Sequence, residues 1–285
     1  MELCRPVPRN DHAQAHVPED RRGAGGAGGT DGETAGGAAT TAAGTATADG
    51  EDGGSDTAIV AGTAPGFRPF EMKEGGELVG FDVDLLEAVI EQAEGYTLSG
   101  WQEFEFSSLI PALTSEKIDT IAAAMTINDE RDETIDFTDP YYSANQSVLV
   151  REGGEFSPSS LADLSGQVVG AQTGTTGEGV VQDQLINRSE LAESNYNSYG
   201  NYVLAVEDLV NGNIDAIVID EPVAATFASD RQVDVAFTYE TGEEYGFGIR
   251  DGASDLQSAL DSGLEAVREA GTYEDLTKKW FEQDG

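Results

Sequence analysis

Large apolar side chains stop after Val17 and return at Ile59, and from there they recur with the spacing of buried elements. The apolar run 58–63, ended by Pro65-Gly66, predicts a buried strand. Behind Asp82, Val83, Leu86, Ile90 and Ala93 fall on one helical face, with Leu85 and Val89 widening the stripe. The helix should stop near Glu94-Gly95. A strand over 97–104, a helix opening at Ser107-Ser108 and a short strand over 120–124 follow. After Asp139-Pro140-Tyr141-Tyr142, residues 147–150 read as an extended connector.

A second alternating set then begins, with a short helix at 159–164, a strand at 167–171 and helices over 176–186 and 202–210. A strand over 216–219, a helix opened by Glu221-Pro222 and a strand over 233–237 complete it. Residues 245–249 read as a second connector, leading to a helix lined by Leu256, Leu260, Leu264 and Val267 and a last one carrying Tyr273, Leu276 and Trp280-Phe281. Alternation of this kind implies parallel sheets covered by helices. Two such sets joined by two connectors predict an α/β fold of two lobes with a cleft between them. One lobe is expected from 58–141 with 246–285, and the other from 142–245. Residues 1–57 hold Gly/Ala/Thr/Asp repeats that cannot bury enough apolar surface to offset the entropy of ordering, so a flexible tether is expected there.

Charge narrows the partners. The chain has 54 Asp and Glu against 15 Lys and Arg, a net charge of −39. Such a surface repels nucleic acid and anionic lipid headgroups, so no nucleic-acid partner is expected. Screening lengths fall to about 3 Å at 1 M salt, which makes that self-repulsion tolerable and predicts an extreme halophile. The single cysteine, Cys4, excludes an internal disulfide. No stretch reaches the roughly 18 apolar residues of a membrane span, and residues 1–20 lack the apolar run of a secretory signal.

Catalytic equipment is sparse. Both histidines, His12 and His16, lie with Cys4 in the tether, so no Cys–His or Ser–His pair can form after residue 58. No phosphate-cradling glycine loop follows a strand, and the acid run Asp129, Glu130, Asp132, Glu133 is what this composition produces by chance. No metal site, cofactor or catalytic residue is read. In open parallel sheets, ligands lie beyond the carboxyl ends of strands. Four features converge there: the loop 63–71 with its aromatic rings, Phe106, the segment 123–131, and the Gly/Thr loop 172–177 beside Ile219-Asp220-Glu221-Pro222. The Gly/Thr loop feeds a helix amino terminus, which suits a carboxylate. Each feature has a plainer reading: Arg131 as a solvated ion-pair partner, Asp220 as a helix N-cap, Phe67 and Phe106 as core rings, Thr175 and Thr176 as turn formers.

The ordered set of motifs decides between them. Phe67-x-Pro69-Phe70-Glu71, Gly80-Phe81-Asp82-Val83-Asp84-Leu85 and Ile110-Pro111-Ala112-Leu113 come first. Thr126-Ile127-x-Asp129-Glu130-Arg131 follows, then Ile135-Asp136-Phe137-Thr138-x-Pro140-Tyr141-Tyr142. Gly170-x-Gln172-Thr173-Gly174-Thr175-Thr176, Gly271-Thr272-Tyr273 and Lys279-Trp280-Phe281 complete the order. Over nearly all of 58–285 the chain resembles the polar amino-acid binding proteins of ABC importers, solute-binding protein family 3, which includes glutamine and histidine binders. The resemblance implies a two-lobed periplasmic-binding-protein-like fold of type II. It implies a monomer that is not an enzyme, that works outside the membrane and that hands an amino acid to ABC permease subunits.

Carried over residue by residue, the resemblance makes Arg131 a bidentate partner of the ligand α-carboxylate, helped by the N–H groups of Thr126 and Thr176 and the Thr126 hydroxyl. Asp220 would take the α-ammonium with a backbone carbonyl near Ala124, and Phe67 and Phe106 would flank the side chain. Ala64, Ala123, Gln172 and Thr175 complete the lining. Physical chemistry agrees, because a zwitterion needs one cation and one anion held apart, and planar guanidinium matches carboxylate. Charge-assisted hydrogen bonds contribute roughly 1.5–3 kcal/mol each, so four of them exceed the roughly 8 kcal/mol of micromolar binding. Ala64 stands where relatives commonly carry an aspartate that reads the side chain, and Gln172 and Ile219 replace a lysine and a histidine of the glutamine binder. The side-chain end of the pocket thus reads as uncharged and favours a neutral amino acid, although Glu71 or Glu178 could supply a charge. The rival readings are a binder of another small carboxylate and an enzyme similar to the cyclohexadienyl dehydratases. Cys4 is either a lipidation site whose chain begins upstream or incidental. Asn145-Gln146-Ser147 and Asn187-Arg188-Ser189 match the glycosylation triplet.

Overall fold

The computed structural model describes residues 56–282. In chain order it runs β1 (Thr57–Thr63), β2 (Met72–Glu74), β3 (Glu77–Val79), α1 (Phe81–Gln92), β4 (Tyr96–Glu103), α2 (Leu109–Thr114), β5 (Thr120–Ile121), α3 (Asp129–Asp132) and β6 (Ile135–Phe137). It continues with β7 (Tyr142–Arg151), β8 (Val169–Gln172), α4 (Thr176–Val180), β9 (Tyr196–Tyr199), α5 (Tyr202–Asn211), β10 (Ala216–Asp220), α6 (Glu221–Asp230) and β11 (Val233–Tyr245). Finally come β12 (Gly248–Arg250), α7 (Ser254–Glu269) and α8 (Thr272–Phe281). Apart from Asp56 and Thr57, the latter opening β1, the expected tether lies outside the described residues, as do Cys4, His12 and His16.

Two five-stranded sheets result, in the orders β4-β1-β5-β12-β6 and β11-β7-β10-β8-β9. Their centres are parallel, but each is completed by antiparallel strands: β12 against β5 and β6, and β7 against β10 and β11. Both sheets are therefore mixed rather than parallel throughout, because the connecting segments are themselves strands. The segment expected as a connector at 147–150 is the middle of β7, and the strand expected over 233–237 runs on to Tyr245. That extension carries Glu240, Thr241, Gly242, Glu243 and Glu244 through a register shift, so no apolar alternation marks it. The strand expected over 120–124 stops at Ile121, since Ala124 turns left-handed, and the helix expected over 176–186 becomes a π-turn at Val181. The hairpin β2–β3 and the strands β6 and β9 were not expected.

Aromatic rings pack the two crossings between the sheets. Tyr141 stacks on Phe247 at 4.6 Å and Tyr142 on Phe281 at 5.0 Å, while Phe70 meets Tyr245 edge-on at 5.4 Å. Such pairs add about 0.5–1.5 kcal/mol each beyond the area they bury. The buried face of α1, which includes Phe81, Leu85, Leu86 and Val89, belongs to the same core as Leu256, Leu260 and Leu264 of α7. The turn into α1 demands glycine: Gly80 has φ 147°, and an added Cβ would lie 1.9 Å from the Phe70 carbonyl oxygen. Gly80→Ala is expected to lower the unfolding free energy by about 2 kcal/mol or more, measured by denaturant titration in molar salt, because backbone rather than a side-chain tip must move.

Candidate functional site

Below the carboxyl end of β5 the chain turns through Ala123 and Ala124, and Ala124 adopts φ 44°, a region that disfavours a Cβ. Asp82, in the first turn of α1, holds that turn: its Oδ2 accepts the Ala124 N–H at 2.6 Å and the Tyr141 hydroxyl at 2.7 Å. Burial nevertheless pushes the Asp82 carboxyl up to about 6, with those two hydrogen bonds pulling it down. The chain then reaches Thr126 and α3, where the Asn128 side chain caps the helix by accepting the Arg131 N–H at 2.9 Å.

The Arg131 guanidinium is buried. It donates through Nη1 to the Thr126 carbonyl at 2.6 Å and through Nη2 to the Gly174 carbonyl at 2.9 Å, and it lies 5.4 Å from the Phe106 ring centre. Gly174 has φ 78°, which favours glycine, and a Cβ there would press on the turn before α2 at 3.3 Å from the Ser107 Cβ. Thr175 caps α4: its Oγ1 accepts the Glu178 N–H at 3.3 Å and donates to the Gln172 carbonyl at 2.7 Å. Thr176, beginning α4, faces Thr126 with 2.8 Å between their hydroxyl oxygens.

Asp220 ends β10 and is buried. It holds the N-cap position of α6 as expected, but its side chain makes no capping bond, and its Oδ1 accepts the Tyr245 hydroxyl at 2.6 Å. Burial, reinforced by the charge of Glu243, pushes the Asp220 carboxyl up to about 7. Glu71 is only 1 % exposed, and neither of its carboxylate oxygens has a hydrogen-bond partner among the described residues. Its pKa lies well above the usual range, first through burial and then through Asp82 and Asp220. Burial lowers the Arg131 pKa, opposed by the charges of Asp220 and Glu243.

One narrow, nearly closed cavity with about 10 Å³ of free space gathers these groups. Ala64, Phe67, Phe106, Ala123, Ala124, Thr126, Arg131, Gln172, Thr175, Thr176 and Asp220 all line it, and Glu71 is the one further lining residue. The eleven positions named from sequence thus share a single chamber between the two sheets. Of the two acids that could supply a charge to the lining, Glu71 reaches it as a buried carboxyl group. Glu178 stays outside the lining, its carboxylate taken by the Gly174 N–H and the Tyr196 hydroxyl. Thr126 also departs from expectation, for its hydroxyl meets the Glu243 carboxylate at 2.8 Å, and that acid went unremarked in the sequence. Among buried ionisable groups of the described residues, four carboxylates (Glu71, Asp82, Asp220, Glu243) face one guanidinium.

Comparison with known proteins places this geometry. The family model of bacterial extracellular solute-binding proteins, family 3, matches residues 59–283. A probable histidine-binding protein of Campylobacter jejuni is 36 % identical over 222 residues, covering 77 % of this chain and 83 % of that protein. The solved structure of an ancestral arginine-binding protein bound to arginine shares 35 % identity with a TM-score of 0.73, covering 79 % of this chain and 98 % of that one. An ancestral amino acid-binding protein, a precursor of cyclohexadienyl dehydratase, shares 32 % identity with a TM-score of 0.71, covering 79 % and 95 %. With its two α/β lobes, two crossings and a cleft between them, the chain belongs to family 3 of the extracellular solute-binding proteins and has their type II periplasmic-binding-protein fold.

Proposed function

We propose that this protein captures a cationic amino acid between its lobes and presents it to an ABC permease at the outer face of the membrane. The observation that carries the reading is Glu71, a buried carboxylate with both oxygens unpartnered, in one chamber with Arg131 and Asp220. One cation and two anions in a chamber complement a ligand with one negative and two positive poles. Arg131, with the backbone of Thr126 and Thr176, takes the α-carboxylate, and Asp220 the α-ammonium. Phe67 and Phe106 flank the aliphatic stem, and Glu71 takes the cationic end. Ala64 leaves that end open, so the counter-charge comes from the neighbouring turn of the same loop. The names of the histidine- and arginine-binding relatives support this class of ligand.

In this reading 58–141 with 246–285 moves against 142–245 about the two crossings, and the ligand favours the closed state. The protein works as a monomeric binder rather than an enzyme. Its acid excess supports a salt-rich setting, with residues 1–57 as a surface tether and Cys4 as a candidate for lipidation.

In a thermal-shift screen of the twenty amino acids in molar salt, arginine, lysine and histidine are expected to raise Tm most. Stabilisation by neutral or acidic amino acids alone would overturn the ligand class. Arg131→Ala is expected to raise the calorimetric Kd for arginine about tenfold or more while the fold persists. Glu71→Gln is expected to weaken arginine by a similar factor, leave glutamine unharmed and raise Tm by removing a buried carboxyl group whose ionisation burial opposes.

Acidity follows from the same groups. Asp220, raised from 3.8 to about 7, and Asp82, raised from 3.8 to about 6, favour the ligand-free fold below the lower value, and that stability is lost as pH rises through the upper ones. Asp220→Asn is expected to flatten the fall of Tm between about pH 4 and pH 7. Arginine binding should strengthen over the same range and release protons, read as a buffer-dependent calorimetric enthalpy.

A further inference from the structure

Glu243 lies in β11, two residues before the crossing at Tyr245, and is buried although no counter-charge bonds it. Its Oε1 accepts the Gln146 side-chain amide at 2.9 Å and the Thr241 hydroxyl at 2.7 Å. Its Oε2 accepts the Thr126 hydroxyl at 2.8 Å. A carboxylate only accepts, so the single proton of the Thr126 hydroxyl is committed to Glu243. The remaining 2.8 Å contact, between Thr126 Oγ1 and Thr176 Oγ1, must then be donated by Thr176. Thr126 follows β5 of the first sheet and Thr176 opens α4 beside the second, so a directed chain, Thr176 to Thr126 to Glu243, spans the cleft.

We infer that Glu243 is a positioning residue for ligand capture: by fixing the Thr126 hydroxyl as an acceptor, it makes the Thr176–Thr126 contact a latch that holds the two lobes shut. The inference concerns closure and rests on the reading of the cleft as an amino-acid site only where affinity is measured. Its consequence for the ligand is specific. The Thr126 hydroxyl cannot also donate to a carboxylate, which leaves that duty to Arg131 and backbone N–H groups. Glutamine at 243 preserves the chain, because its oxygen can accept from Gln146 and Thr241 while its amide donates to Thr126, freeing the Thr126 proton for Thr176. Alanine ends it.

The test compares wild type with E243A, E243Q, T176V and E243A/T176V in molar salt. The radius of gyration by X-ray scattering is measured with and without arginine, and the calorimetric Kd for arginine alongside. E243A and T176V are expected to enlarge the ligand-free particle and to raise the Kd about three- to tenfold, the worth of one hydrogen bond. E243Q should stay near wild type on both readouts. The double variant should be no worse than either single one, because Thr176 and Glu243 act through the same hydroxyl. Unchanged dimensions in E243A, or effects that add in the double variant, would overturn the latch. Should E243A not fold, an E243Q particle as open as that of T176V would do the same. If wild type binds none of the amino acids, the ligand reading fails while the scattering still decides the latch.

Discussion

A lone buried guanidinium, outnumbered by buried carboxylates, governs the centre of this molecule. Removing ions from water is costly unless each finds partners. Arg131 meets that demand with two backbone carbonyls, one on each side of the cleft, and with the ring of Phe106. The carboxylates are treated unequally. Asp82 and Asp220 receive tyrosine hydroxyls and Glu243 receives three donors, whereas Glu71 receives none among the described residues. The unmet demand thereby falls chiefly on one residue of the chamber lining.

The fold brings these groups together by placing strand ends opposite each other. Thr63, Ile121, Gln172 and Asp220 end β1, β5, β8 and β10, and the segments leaving them supply most of the lining. Around them stands a wall of aromatic rings at the crossings, so the chamber is shaped from both sides.

Much of this was legible in the chain itself. Short apolar strands and amphipathic helices are strong local signals, and β1, α1, α5 and α7 fall within a residue or two of the periodicity. The motif order, more than any single motif, brought eleven chamber residues into view. What escaped was of another kind. The extension of β11 is polar and bulged, held by its ladder with β7 rather than by its own pattern. Glu71 sits two residues after proline in a motif where any acid looks solvated, and only the packing of Phe67, Phe70 and Phe81 around that turn reveals it as buried. Glu243, next to Glu244 in an acid-rich chain, carries no local mark of its role.

The place of β12 has a consequence for the order of assembly. It is inserted between β5 and β6, so the outermost strand of the first sheet is joined to the rest only through residues near the end of the chain. The second sheet, by contrast, draws all its strands from one continuous stretch. A polypeptide emerging from its amino end could therefore complete the second sheet first, while the sheet that began earlier stays unfinished until β12 arrives. Such long-range closure makes assembly slow compared with local hairpins, and it leaves the edge of the first sheet open for as long as its final strand is still to come.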